Sequence, residues 1–205
     1  MKKFIFTFLV MLFGLINSQV KAQLPATAFD ISPLLIGEQA PDIMLTDVKG
    51  NQKSLVAITK EKPTVLFFYR GNWCSNCITH FSEQIAPIQS DILNLGYNMI
   101  AVCPDVPDTL LVTSQKTKLS SSIFYSDGDG ALTKAMGIAW QQSERSLPRL
   151  LAYSGGKNKG FLPVPCVFVL DTSQKIIFEY INPNGPGSQL RIRGKFLLAV
   201  LQALK

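Results

Sequence analysis

Two cysteines one helical turn apart, Cys74 and Cys77, are the residues best suited to chemistry in this chain. They lie in Arg70-Gly71-Asn72-Trp73-Cys74-Ser75-Asn76-Cys77, between an apolar β-branched run (64–69) and a stretch with helical periodicity. A cysteine at the start of a helix meets unpaired backbone N–H groups and the positive end of the helix dipole, and both favour a thiolate. That placement pulls a thiol below its free pKa of ~8.5 and makes Cys74 the exposed, attacking sulfur. Cys77 is then the buried resolving thiol, which closes an intramolecular disulfide and releases a mixed-disulfide partner. Trp73 shields the sulfurs from one side. Arg70 is a candidate modulator, able to favour the thiolate or position a peroxide, and is otherwise a strand-end surface charge.

The same spacing serves other ends. A zinc site needs two further ligands, for which Cys103, Cys166 and His80 are available, but no second close pair exists and no metal is expected. A structural disulfide would leave a redox-inert interaction domain. Cys103 and Cys166 read as small buried hydrophobes or as modulators of the pair, and the three formal pairings of four cysteines stay open. His80 reads as a solvent-facing helix residue. Asp127 and Asp129 lack the spacing of a calcium loop and read as turn residues.

The elements that must position the pair follow from periodicity. Residues 64–69 and 97–102 are continuous apolar runs, as expected of strands buried on both faces. Ile78, Phe81, Ile85, Ile88, Ile92 and Leu95 recur at helical spacing, with Pro87 bending the helix. Residues 43–46 and 52–55 form a hairpin across Lys49-Gly50-Asn51. Residues 106–118 and 131–136 are helical, 123–125 a short strand, and 141–160 a long surface loop without a period. Residues 166–171 and 176–181 make a second hairpin, 182–188 a loop, and 196–204 a terminal helix. Strands alternating with helices give an α/β fold with a mixed sheet.

The chain has 205 residues, 47 % of them hydrophobic and 17 % charged. This is enough apolar material for a core and excludes a disordered chain. Lys2 and Lys3 precede a short apolar run (4–16), followed by Val20-Lys21-Ala22. The pattern is that of a secretory signal over 1–22, cut after Ala22, with a lead segment over 23–36 and one domain over 37–205. The run is shorter than the ~20 residues of a spanning helix, so no stable membrane insertion is expected after cleavage. Export would place the protein in the periplasm or another extracytoplasmic space, where disulfides persist. Loss of Lys2, Lys3 and Lys21 lowers the net charge of +6 by three. No basic block interleaves with aromatics, so no nucleic acid partner is expected.

Phe68-Tyr69-Arg70-Gly71-Asn72-Trp73-Cys74-Ser75-Asn76-Cys77 resembles the active-site signature of thioredoxin-fold redoxins, in particular the peroxiredoxin-like branch of the alkyl hydroperoxide reductase/thiol-specific antioxidant (AhpC/TSA) family. Residues 37–45 with Gly50 resemble the family's opening hairpin. Val164-Pro165 resembles its cis-proline loop. The resemblance implies a thioredoxin-like fold, a mixed central sheet flanked by helices with an N-terminal β-hairpin extension. It places all four cysteines at one edge of the sheet and Val164 and Pro165 beside the sulfurs, Pro165 with Trp73 shaping a substrate groove in which an incoming chain pairs with free Val164 backbone. Three features depart from the pattern: Ser75-Asn76 replaces a proline-containing dipeptide, Phe68 stands where thioredoxins bury a carboxylate, and neither cysteine follows Pro-x-x-x-Thr-x-x-Cys. The reading is an exported thiol–disulfide oxidoreductase acting on protein dithiols or disulfides, with no cofactor beyond the cysteine pair. A peroxide reductase acting on a small peroxide is the alternative.

Overall fold

The computed structural model describes residues 23–183 and 192–205. The expected signal segment and most of the expected 182–188 loop lie outside the described residues. The chain order is β1 (Met44–Asp47), β2 (Gln52–Ser54), α1 (Leu55–Thr59), β3 (Thr64–Phe68), α2 (Ser75–His80), α3 (Gln89–Asn94), β4 (Asn98–Cys103), α4 (Pro107–Thr117), β5 (Phe124–Ser126), α5 (Ala131–Ala135), β6 (Ala139–Gln141), α6 (Leu147–Tyr153), β7 (Phe161–Pro163), β8 (Cys166–Leu170), β9 (Ile176–Ile181) and α7 (Gly194–Ala203).

Seven strands form one mixed sheet in the order β2-β1-β5-β4-β3-β8-β9. β3, β4 and β5 are parallel neighbours, and the remaining pairings are antiparallel. This is the expected α/β architecture with the hairpin β1–β2 at one edge. β3 is buried at every position, which is why its sequence shows no polar alternation. Its odd side chains Val65 and Phe67, with Tyr69, face a core that holds Phe81, Ile85, Ile92 and Leu197. Its even side chains Leu66 and Phe68 face a second core with Ile100, Val102, Leu132 and Phe168.

Several expectations are corrected. The helix after Cys77 is not one bent rod. It passes from α2 through a π turn at Phe81–Ile85 and a 3₁₀ turn at Ala86–Ile88 before α3. Pro87 has no N–H to give and crowds the preceding turn, so the ladder changes pitch around it. Leu55 opens α1 rather than closing a strand, because the Ser54 side chain caps the Ala57 N–H. The segment 141–160 is not one loop: α6 and a 3₁₀ turn at Glu144–Ser146 occupy its centre. A helix this short depends on tertiary anchors. Leu150 is buried, and the Val106 N–H donates to the Tyr153 carbonyl at 2.9 Å. Asn158 then fixes the return to β7 through Gly160 N–H, Phe161 N–H and the Phe161 carbonyl.

The lead segment 23–36 is tied to the domain. Gln141 N–H donates to Pro25 O, and Leu34 N–H to Met136 O. Gly137 has φ +71°, and a Cβ there would stand 1.9 Å from Ser32 O, so only glycine allows this approach. No helix among the described residues is long and apolar enough to cross a membrane.

Candidate active site

The redox turn hangs from the C-terminal end of β3. Tyr69 N–H still bonds the Val102 carbonyl at 3.1 Å, so the chain leaves the sheet only at Arg70. Gly71, at φ +130°, turns it sharply. A Cβ at Gly71 would meet Asp105 Oδ1 at 2.6 Å and Trp73 Nε1 at 2.9 Å, so no larger residue fits between the turn and the loop after β4. Cys74 is the N-cap of α2, as its expected role requires. Its Sγ accepts from Cys77 N–H at 3.2 Å, and the two sulfurs are joined as a disulfide.

Both cysteines are buried, which corrects the expectation of an exposed Cys74: it is 3 % exposed. The reason is Arg70. Its side chain folds back so that Nη2 donates to Cys74 Sγ at 3.1 Å, and Arg70 is itself only 9 % exposed. Burial pulls the Arg70 pKa down from its ordinary value, yet a guanidinium retains its charge. Arg70 is therefore no surface charge but a cation held on the first sulfur. Trp73 packs beside the core cluster containing both cysteines. The Arg70 guanidinium lies 5.5 Å and the Arg149 guanidinium of α6 5.3 Å from its ring centroid.

The four cysteines do gather at one end of the sheet, but on two faces. Cys74, Cys77 and Cys103 belong to the core of Tyr69 and Phe81, and Cys166 to the core of Phe68 and Val102. Register explains the split, since Cys166 lies opposite Phe68 and shares its face. Cys103 and Cys166 are free thiols. Burial pushes both well above the usual thiol range, reinforced by Asp105 for Cys103 and Glu179 for Cys166. Neither is a ready nucleophile. Among the described residues no group of three or more His, Cys, Asp or Glu is placed to hold a metal.

The groove residues separate. The Val164–Pro165 bond is trans, like every peptide bond among the described residues. Val164 is 1 % exposed, and its N–H donates to Ile138 O at 2.9 Å. That donor is consumed by the contact with Ile138, so the Val164 N–H is not free to pair with an added strand. Pro165 does reach the site, lining one cavity with Cys77, His80 and Cys166 and a crevice with Arg70 and Trp140. His80 is half-buried rather than solvent-facing, with Nε2 2.8 Å from Ile192 O.

The structure also places a residue that the sequence reading passed over. Asp105, just beyond β4, is 1 % exposed and accepts from Asn72 N–H at 2.7 Å. Burial raises its carboxyl pKa to about 7, against the pull of that hydrogen bond. Thioredoxins bury a carboxylate in the strand before the motif; here the buried carboxyl comes from the neighbouring parallel strand. The available signal was an aspartate at the C-terminal end of a central parallel strand, where open α/β sheets place their functional loops.

The geometry agrees with what the chain resembles. A match to a "Thioredoxin-like protein" of Haemophilus influenzae is 31 % identical over 68 residues and spans 33 % of this chain and 37 % of that one. The fold is similar to that of peroxidoxin BcpB from Mycobacterium tuberculosis, with a TM-score of 0.64 and 16 % identity over 83 % of this chain and 97 % of that one. A peroxiredoxin-like protein from Aquifex aeolicus also has a TM-score of 0.64 and 16 % identity, over 85 % and 90 % of the two chains. The family model described as AhpC/TSA matches residues 36–179, most of the domain and all of its redox turn, and the chain belongs to that family.

Proposed function

We propose that this protein is an exported thiol–disulfide oxidoreductase in which Cys74 attacks and Cys77 resolves. The observation that carries the reading is the Cys74–Cys77 disulfide at the strand-to-helix turn, with Arg70 Nη2 on Cys74 Sγ. In the reduced protein the Cys74 thiolate attacks a partner disulfide, forming one S–S bond and expelling one partner thiolate. Cys77 then attacks Cys74 Sγ, re-forming the intramolecular disulfide and expelling the second thiolate. Two electrons pass to the partner, and the reverse sequence oxidises a dithiol. Arg70 and the first turn of α2 offset the charge on Cys74. Asp105, titrating near neutrality, accepts from the Asn72 N–H and so ties the redox turn to a group whose charge changes in the working pH range. Export is supported by the Lys2-Lys3 start, the short apolar run and Val20-Lys21-Ala22.

Substitution separates the roles. Cys77→Ser should accumulate mixed disulfides with partners, and Cys74→Ser should not. The opposite outcome reverses the assignment. A second reading, peroxide reduction, is favoured by family membership and by the cation on the sulfur. Rapid-mixing oxidation of the dithiol by hydrogen peroxide decides between them. A rate no higher than that of an ordinary thiolate of equal pKa supports disulfide exchange. A rate orders of magnitude higher, lost in Arg70→Ala, establishes the peroxidase.

A further inference from the structure

Trp73, beside the disulfide, carries two guanidiniums on one ring. Arg70 comes from the redox turn itself and Arg149 from α6, more than seventy residues later in the chain. Arg149 is exposed and lies over Trp73, and among the described residues no carboxylate is paired with it. Lys116 of α4 reaches the same turn, donating to Asn72 Oδ1 at 3.1 Å. The acid beneath the turn, Asp105, is buried and holds its proton up to about pH 7, so it offsets little of this charge. Glu144 on the preceding 3₁₀ turn and Asp108 in the first turn of α4 are the acidic residues on the flanking elements. Neither forms an ion pair with Arg149.

Like charges collected on one ring repel one another, and the collection persists because α6 is anchored there by the Val106–Tyr153 hydrogen bond and buried Leu150. In the reduced protein Arg70 is engaged by the Cys74 thiolate, which leaves Arg149 and Lys116 as charge in excess of what the sulfur needs. A planar guanidinium stacked on an indole keeps its N–H edge free to grip a carboxylate. We infer that the Trp73–Arg149 pair is a specificity element of the disulfide-exchange site, selecting substrates that carry a carboxylate next to the reacting sulfur. This rests on the oxidoreductase reading and narrows its substrate class. The redox step itself is unchanged: the substrate S–S bond is reduced by the Cys74/Cys77 dithiol, and the carboxylate takes no part in electron transfer.

The test uses the reduced full-length protein and three symmetrical disulfides of similar length: dithiodipropionate (dianionic), bis(2-hydroxyethyl) disulfide (neutral) and cystamine (dicationic). Each rate is divided by that of the same disulfide with 2-mercaptoethanol thiolate, because a bare thiolate repels the anion. At low ionic strength the corrected rate should favour the dianion over the dication by about tenfold or more, and the preference should shrink as salt screens the rim. Arg149→Ala should lower the ratio several-fold, and Arg149→Lys, which keeps the charge, should restore part of it. Lys175→Ala, in the β8–β9 turn at the other end of the sheet, should leave the ratio unchanged. Brisk reaction with all three probes and no charge preference, or a preference that survives Arg149→Ala, overturns the inference and leaves the oxidoreductase reading standing. If all three react no faster than with free thiolate, both fall.

Discussion

Two aspartates leave the ends of adjacent parallel strands, Asp105 after β4 and Asp127 after β5, and both are almost fully buried, at 1 % and 2 % exposure. Burial raises the pKa of both. Their partners differ. Asp127 accepts three hydrogen bonds at the start of α5, from Leu132 N–H at 3.1 Å, Thr133 N–H at 2.8 Å and the Thr133 hydroxyl at 2.6 Å. Asp105 accepts from Asn72 N–H, a donor that belongs to the redox turn. A buried carboxyl that organises a helix end is a structural cap. One with a single donor, titrating near neutrality against a reactive turn, is an ionisable group held in reserve. Nearly equal burial therefore does not imply equal roles.

The comparison breaks most visibly at Asp127. Asp127→Ala leaves two backbone donors and a hydroxyl without their acceptor in a buried site, and should cost about 3 kcal/mol. Chemical denaturation of the oxidised protein measures this. The Cys74–Cys77 reduction potential should stay within error of the parent. A potential that moves with Asp127→Ala would show that the two aspartates are not separable.

Asp105 has a smaller effect of opposite sign. In the folded chain it holds its proton up to about pH 7, and in the unfolded chain only to about pH 4. Between those values the folded state binds more protons, so this group makes stability fall as pH rises, and the fall levels off above about pH 7. Asp105→Asn removes that loss. Relative to the parent the variant should gain about 2–3 kcal/mol between pH 5 and pH 8.5. Parallel urea titrations at the two pH values read the difference. A constant offset between the two proteins would show that Asp105 is ionised throughout. The same substitution should remove a titration near neutrality from the pH profile of Cys74 alkylation in the reduced protein, whereas an unchanged profile would detach Asp105 from the site.

Much of this region was legible in sequence because local rules decide it. An uninterrupted apolar run gave β3, turn residues placed the cysteine pair at a helix start, and the family resemblance supplied the mixed central sheet with the four cysteines at one edge. What stayed hidden depends on distant chain. Asn72 and Asp105 are 33 positions apart and carry no mutual pattern. Arg149 meets Trp73 through a helix of seven residues held by anchors outside itself. Val164 was misread for the same reason, since its N–H is used by Ile138 in a contact that no local motif announces.

The smallest expected effect concerns Tyr69, the group that completes the surroundings of Asp105. Its ring stacks edge-on against Phe81 and Phe124, with centroids 5.1 and 6.1 Å away. Its hydroxyl is buried with no hydrogen-bond partner at good length and angle, and neighbouring Thr113 already donates to Thr109 O at 3.0 Å. Burial, with Cys103 and Asp105 adding to it, pushes the phenol well above its usual pKa, so it stays neutral. Tyr69→Phe keeps the ring contacts and deletes an unsatisfied polar atom. Removing such a group relieves its desolvation cost, so the variant should match the parent or gain up to about 1 kcal/mol. The stability difference should not change with pH, because the phenol does not titrate in the working range. A loss greater than about 1 kcal/mol would mean that the hydroxyl has a partner, with the Cys103 and Thr113 side chains the groups beside it.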